Sequence, residues 1–263
     1  MSLQLTCACR QKATGAWRPR IQRLQLCVFL ALVMTGAFRT SHAQDTILSV
    51  LRRAETQLQD GRANLDERTL LTARRICADC TRRDPRDARC YYDIGLTDLY
   101  IADVSDRHED KRAAQQRIDS AIENTRRSID LNAGFADAHA LLAELYGRKI
   151  GYGGAFTAMR IGSKAQAETE KALELDPNDP RIYIVIGRRQ LFSPRIFGGD
   201  IEKAIESFRK ATTVDPRSDE SFVWLAIAYG KKGDSMAART AADEALRLNN
   251  RNVIAREIRS AIR

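Results

Sequence analysis

The residues best suited to redox or metal chemistry lie close together. Cys77 and Cys80 form a C-x-x-C pair, and Cys90 follows ten residues later. Such a pair indicates redox chemistry where a strand runs into a helix, whereas the surrounding TLLTARRICADCTRRDP is typical of the middle of a helix. A metal site needs further ligands, and beyond residue 43 the sequence offers only His108 and His139. We therefore expect structural cysteines and no bound metal.

Motifs that would indicate an enzyme are absent from the sequence. It contains no H-E-x-x-H, no G-x-S-x-G and no G-K-[ST] after a glycine-rich loop. The GYGG stretch that begins at Gly151 lacks the lysine and the flanking strand that phosphate binding requires. His139 is expected to be a packed core histidine. We predict a protein that is not an enzyme and needs no cofactor.

The first 43 residues have the pattern of a secretory signal peptide. Basic residues precede a short apolar run, Leu26–Phe38, and the small residues of Ser-His-Ala end at Ala43. An uncleaved anchor is the alternative, but the run is short for a membrane span and Arg39 interrupts it. Cys27 lacks the small residue expected before a lipidated cysteine, so a lipoprotein is not expected. We predict Sec-type export with cleavage after Ala43, which makes the protein periplasmic or secreted and leaves no stable membrane span.

Export with removal of the signal peptide changes the net charge of the protein and the redox conditions that its cysteines meet. The segment up to Ala43 holds six of the 43 basic residues and none of the 34 acidic ones, so its removal lowers the net charge from +9 to +3. A nearly balanced surface gives no reason to expect nucleic acid as a partner. The three remaining cysteines would meet an oxidising compartment, where one disulfide and one spare thiol are a natural outcome.

Small and apolar residues recur at regular spacing in the rest of the chain. From Pro216 to Asn250 the distance is 34 residues, and the segment between them matches W-x2-L-G-x2-Y followed by A-x3-F-x2-A. The segment resembles the tetratricopeptide repeat family. The matching residues are Phe222, Leu225, Ala226, Tyr229, Ala238, Ala242 and Ala245.

The resemblance covers most of residues 45–250 and implies an all-α fold. We expect residues 44–263 to form a single right-handed solenoid of four to five antiparallel helix pairs. Small residues such as Gly187 and Ala204 would let two helices approach closely, and larger ones such as Phe208 would fill the space between them. Isoleucines four residues apart after residue 250 predict a C-terminal capping helix.

Three repeats are longer than 34 residues. The segment from Pro85 to Ala133 exceeds this length by fourteen residues, the one from Ala133 to Pro177 by ten, and the one from Pro177 to Pro216 by five. Each excess falls between the two helices of a repeat and hence on one edge of the solenoid. Gly151–Phe156 and Phe192–Asp200 combine glycine with aromatic residues, and we expect both to be inserted loops.

The family binds peptides or partner proteins on the concave surface that the first helix of each repeat lines. Carried over by register, this surface consists of Arg181, Ile184, Val185, Arg188, Leu191, Val223, Trp224, Ile227 and Lys231. Ile184, Arg188, Val223 and Ile227 stand where some relatives have the lysine and asparagine clamp for a C-terminal carboxylate, so a carboxylate clamp is not expected. The alternative is that some of these apolar residues pack under the inserted loops.

The resemblance also bears on the cysteines and on function. In the family, the positions of Cys80 and Cys90 face each other across consecutive helices, which implies a disulfide from Cys90 to Cys80, or to Cys77; three buried thiols are the alternative. We predict an exported scaffold that holds a protein or peptide in its groove. The alternative is a periplasmic accessory of a transport or envelope-assembly system that encloses a small apolar ligand under the inserted loops. The oligomeric state is not predicted.

Overall fold

A computed structural model describes residues 47–262, and in this part of the chain the secondary structure is helical. The predicted signal peptide, residues 1–43, lies outside the described residues. Residues from Ser49 onward belong to one compact unit. The helices are α1 (described over 47–64), α2 (Glu67–Arg83), α3 (Ala88–Arg107), α4 (Lys111–Leu131), α5 (Ala136–Leu175), α6 (Pro180–Phe192), α7 (Ile201–Val214), α8 (Asp219–Lys232), α9 (Ser235–Leu248) and α10 (Val253–Ala261).

Consecutive helices form a solenoid of antiparallel pairs, as predicted. The pairs are α1 with α2, α3 with α4, the two limbs of α5, α6 with α7, and α8 with α9, and α10 packs on the last pair as a cap. We call the first helix of each pair its A helix and the second its B helix. The five pairs and the cap of the described chain confirm the predicted fold class.

The turns between pairs share one hydrogen-bonding pattern. An Asp or Asn ends each B helix in an extended conformation, and its side-chain oxygen accepts a hydrogen bond from the backbone N–H two residues later. This turn stops the helix and directs the chain into the next A helix. The five residues are Asp84, Asn132, Asp176, Asp215 and Asn249.

The core between the two helices of a pair depends on small residues facing large ones. Phe208 is fully buried, and a Cβ atom at Gly187 would lie 2.6 Å from its ring. The equivalent contact in the second pair brings Gly95 against Thr125. Ala204, Ala226 and Ala238 have no exposed surface. The small positions of the repeat therefore set the separation of the helices, as the sequence indicates.

Most of the extra length of the long repeats is helix rather than loop. The two helices of the second pair have 20 and 21 residues, against 14 each in the last pair. The prediction of a loop at Gly151–Phe156 is wrong, because this stretch is helical on both sides of a single break at Gly154 (φ 64°, ψ −156°). A tight reversal needs only one residue with positive φ when that residue is glycine. The expected loop before α7 is present and contains a 3₁₀ turn, Arg195–Phe197.

Candidate functional site

The A helices at the two ends of the solenoid contact each other across its concave side. Arg62 of α1 donates a 2.6 Å hydrogen bond to Asp219 of α8 and also lies 3.8 Å from Glu220. Tyr100 of α3 donates to Glu220 over 3.1 Å. We call these four residues the α1–α8 bridge. It spans the groove that a partner would enter.

The bridge is buried and well supplied with hydrogen bonds. The side chains of Arg62 and Asp219 are only 13% and 11% exposed. Asp219 also accepts hydrogen bonds from Asn249 and Asn252 at 2.9 and 2.8 Å. Burial alone would raise the pKa of Asp219, but the charge of Arg62 and these amide donors outweigh it and hold the pKa below its ordinary value. The carboxylate therefore stays ionised and paired.

Arg181, a predicted groove residue, lies in the interior of the same groove. It donates a hydrogen bond to the hydroxyl of Tyr92 in α3, and its guanidinium stands 5.5 Å from the centroid of that ring. Burial lowers the pKa of Arg181, against the opposing charge of Glu220. Its position couples the fourth pair to the second through an aromatic side chain.

The predicted residues Arg188 and Trp224 meet at the other end of the A helices. The Arg188 guanidinium lies 4.3 Å from the centroid of the Trp224 ring and forms an ion pair with Glu144 of α5. Phe208 stacks against Trp224 at 6.1 Å, and Phe192 meets it edge-on at 6.3 Å. The exposed Lys231 stands 5.0 Å from the Phe192 ring. We call Arg188, Phe192, Trp224 and Lys231 the Trp224 cluster.

Three of the predicted groove residues are not accessible. Ile184, Val185 and Val223 are 5%, 6% and 4% exposed, and two of them belong to apolar clusters within the helix pairs. They support the groove from behind, because intramolecular packing occupies the surface that the prediction assigned to a partner. Leu191 and Ile227 are half-buried. Arg181, Arg188 and Trp224 are half-buried as well, so Lys231 is the exposed residue of the predicted surface.

Several residues that shape the groove were not identified from the sequence. They are Arg62, Tyr92, Tyr100, Glu144 and Glu220. All of them lie on A helices, so the repeat register places them on the groove side. Which of them meet depends on how far successive pairs rotate, and the repeat pattern does not encode that rotation.

Cys80 and Cys90 form a disulfide that joins α2 to α3, with their Cα atoms 5.7 Å apart, and Cys77 is a free, buried thiol. Burial and the nearby charge of Asp93 raise the pKa of Cys77. His139 is buried and hydrogen-bonded on both ring nitrogens, to Glu168 at 2.6 Å and to the carbonyl of Ala133 at 3.1 Å. These contacts are structural, because each side chain is enclosed and chemically satisfied.

A cavity of about 200 Å³ lies next to the Gly154 break. The residues that line it are Gln115, Asp119, Lys149, Tyr152, Gly153 and Thr157. Within residues 47–262, no group of three or more His, Cys, Asp and Glu side chains is placed to hold a metal ion. None of the helices in this described part combines the length and the apolar character that crossing a membrane requires.

Comparisons with known proteins agree with this architecture. A family model described as a tetratricopeptide repeat matches residues 196–218. The crystal structure of TTC0263, a thermophilic tetratricopeptide repeat protein of Thermus thermophilus, aligns with a TM-score of 0.57 at 15% identity, over 80% of this chain and 98% of that chain. YrrB, a tetratricopeptide repeat protein with an unusual peptide-binding site, aligns with a TM-score of 0.39 at 16% identity, over 83% of this chain and 97% of its own.

At this level of identity the likeness to TTC0263 establishes the fold. The sequence matches none of the curated proteins with which it was compared. The repeated small residues, the stacked helix pairs and the family model lead to the same assignment. The chain has the tetratricopeptide repeat fold, and its residues 196–218 match the model of that family.

Proposed function

We propose that this chain is an exported, non-enzymatic scaffold that binds a protein or peptide partner at the Trp224 cluster. Its fold is one that serves protein–protein interaction. The observation that carries the proposal is the half-buried Trp224, which has a cation over its face and an exposed aromatic residue at its edge. Tryptophan and arginine are the residues most often responsible for binding energy at protein interfaces. Export rests on the sequence pattern of residues 1–43.

The exposed residues of the Trp224 cluster, Phe192 and Lys231, mark the accessible end of the groove. The middle of the groove is crossed by the α1–α8 bridge, and a partner entering there would have to separate Arg62 from Asp219. Breaking a buried ion pair costs about 3–5 kcal/mol. By contrast, Phe192 is 55% exposed and touches Trp224 only with its edge, so a partner side chain can take its place at little cost.

Arg188 and Lys231 define the chemistry that the site recognises. Lys231 is exposed and forms no ion pair among the described residues, so its charge is available to a partner. Arg188 is already paired with Glu144 and holds the Trp224 ring in place. The site therefore suits an aromatic or aliphatic side chain that is followed by a carboxylate or by backbone carbonyls.

Photo-crosslinking in the producing cells tests the proposal. A crosslinking amino acid replaces Lys231 in one variant and Arg239, an exposed residue of the B helix α9, in the control. We expect a discrete protein adduct from position 231 alone. The trapped protein, once purified, should bind the unaltered chain and the Arg239→Glu control equally, and bind the Lys231→Glu variant about tenfold more weakly. Equal adducts at both positions, or equal binding to all three chains, would overturn the proposal.

A further inference from the structure

Large apolar side chains are exposed at one edge of the solenoid. All six that are exposed among the described residues lie within about five residues of the turn from an A helix to its B helix, in three consecutive pairs. We call them the apolar edge: Phe156, Met159, Phe192, Ile196, Phe197 and Met236, with exposures from 55% to 85%. Scattered exposed apolar residues need no explanation, but a group of them confined to one edge of the solenoid marks an interaction surface.

The loop in the centre of this edge is built to hold its apolar residues outward. The backbone N–H of Gly199 donates to the carbonyl of Pro194 at 3.0 Å, and that of Asp200 donates to Gln190 at 2.8 Å. A Cβ atom at Gly199 would lie 1.8 Å from the Ser193 carbonyl oxygen, so only glycine permits this closure. Ile196, at the tip of this closed loop, is 85% exposed. The protein orders the loop without burying it.

The charges beside the apolar edge are mainly positive and free. Arg189, Arg195 and Lys231 flank the loop and form no ion pair within the described part of the chain. The acidic residues of the same turns are already engaged. Asp200 accepts hydrogen bonds from the first backbone N–H groups of α7, and Glu202 pairs with Lys232 at 2.8 Å. The edge therefore offers apolar tips between unpaired cations.

We propose that the apolar edge binds the surface of an anionic membrane. Aromatic and aliphatic side chains enter the boundary between headgroups and acyl chains, while arginine and lysine remain at the phosphates. A protein partner would need a matching pocket for each of three separate convex turns, whereas a fluid interface accepts all of them at once. This surface goes beyond the partner site at the Trp224 cluster, with which it shares Phe192 and Lys231.

A tryptophan placed at the tip tests contact with lipid directly. Phe197→Trp is compared with Tyr91→Trp, which lies near the opposite edge, where the Tyr91 hydroxyl reaches the carbonyl of Pro85. The full chain is mixed with vesicles of equal parts phosphatidylglycerol and phosphatidylcholine, or of phosphatidylcholine alone. The emission of Trp17 and Trp224 is subtracted by using the unaltered chain. Recruitment of the chain by residues 1–43 acts on both variants alike, so the difference between them reports contact at position 197.

We expect the Phe197→Trp emission to shift to shorter wavelength with the anionic vesicles only, and brominated lipid to quench it. The Tyr91→Trp emission should stay unchanged. Introducing Arg195→Glu and Lys231→Glu into Phe197→Trp should weaken binding by about tenfold or more, since each basic residue near an anionic surface adds roughly a factor of five. No shift at position 197, as expected if the edge instead contacts a protein, or an equal shift at position 91, would overturn the proposal. An equal response to neutral vesicles would also overturn it.

Discussion

Arg62 and Asp219 are 157 positions apart in the sequence, and a 2.6 Å hydrogen bond joins them. The contact brings the first helix pair against the fifth, although three pairs separate them along the chain. In most solenoids each repeat contacts only its neighbours. Here the curvature is tight enough for the A helices at the two ends to meet, so that the groove is crossed rather than open.

Replacing Arg62 tests how much this contact stabilises the fold. Arg62→Met keeps the length of the side chain but removes the charge, which leaves Asp219 and Glu220 close together without their cation. We expect the free energy of unfolding in urea to fall by about 3 kcal/mol. We also expect the radius of gyration from small-angle scattering to increase. Arg75→Met, at an exposed position of α2, is the control, and equal stability of the two variants would contradict the prediction.

The environment of Asp179 should make the stability of the fold depend on pH. Burial and the charge of Asp137 raise its pKa, and its Oδ2 atom is buried without a hydrogen-bond partner. The folded state therefore keeps the proton to higher pH than the unfolded state does. The free energy of unfolding is unaffected below pH 3.8, the ordinary pKa of aspartate. It falls as the pH rises from 3.8 toward neutrality.

Asp179→Asn should remove this loss of stability. The Oδ1 atom of Asp179 caps α6 by accepting from the Arg181 N–H, and asparagine caps helices equally well. We expect the variant to be more stable than the unaltered chain at pH 8 by at least about 1 kcal/mol, since each unit by which the pKa of Asp179 is raised is worth about 1.4 kcal/mol. The two should be nearly equal at pH 4. A constant difference across this range, measured by urea unfolding, would show that Asp179 titrates normally.

Two glycine substitutions should have opposite effects. A Cβ atom at Gly187 would meet the fully buried Phe208 ring at 2.6 Å, so Gly187→Ala should destabilise the protein by about 1–3 kcal/mol. Gly147, also within a helix, has nothing within 4 Å of that position. Gly147→Ala should raise stability by about 1 kcal/mol through helix propensity. Melting temperatures that move in the same direction would refute the packing account.

The cysteine pairing predicts a distinct pattern of peptides. Digestion with trypsin under non-reducing conditions should join the peptide 76–82, which contains both Cys77 and Cys80, to the peptide that begins at Cys90. After alkylation without reduction, fragmentation of the joined peptides should place the alkyl group on Cys77 and the crosslink on Cys80. Cys90→Ser should lower the free energy of unfolding by about 2–3 kcal/mol, because the crosslink closes a short loop. Alkylation of Cys77, Cys80 and Cys90 together in the unreduced protein would contradict the pairing.

The helix pairs were predictable because their information is local. Gly187, Ala204 and Phe208 occupy the small and large positions of the repeat, and the structure buries all three. The boundaries between repeats were assigned from prolines, which follow Asp176 and Asp215 but are missing after Asn132 and Asn249. The feature common to all five turns is the side-chain oxygen of Asp or Asn. Proline accompanies that turn without being required for it.

The candidate site was predictable only in part. Register places Arg188 and Trp224 on the groove side, and the structure brings them together. Register alone does not show that Ile184 and Val223 are covered, because their burial depends on how adjacent pairs pack. The glycines of residues 151–154 suggested a loop, but three of the four residues continue the helix and only Gly154 adopts a positive φ. The register of one repeat therefore predicts the side of the solenoid that a residue faces, but not whether a neighbouring pair covers it.

The contact between the ends of the solenoid also bears on how the protein comes apart. An open repeat array unfolds by fraying, since a terminal repeat has one neighbour and is lost first. In this chain the first pair is held by α3 on one side and by Asp219 of α8 on the other. Neither end is then the natural starting point for unfolding. Releasing any pair therefore requires the Arg62–Asp219 contact to break first. We expect this repeat protein to unfold in one all-or-none transition, as a globular domain does.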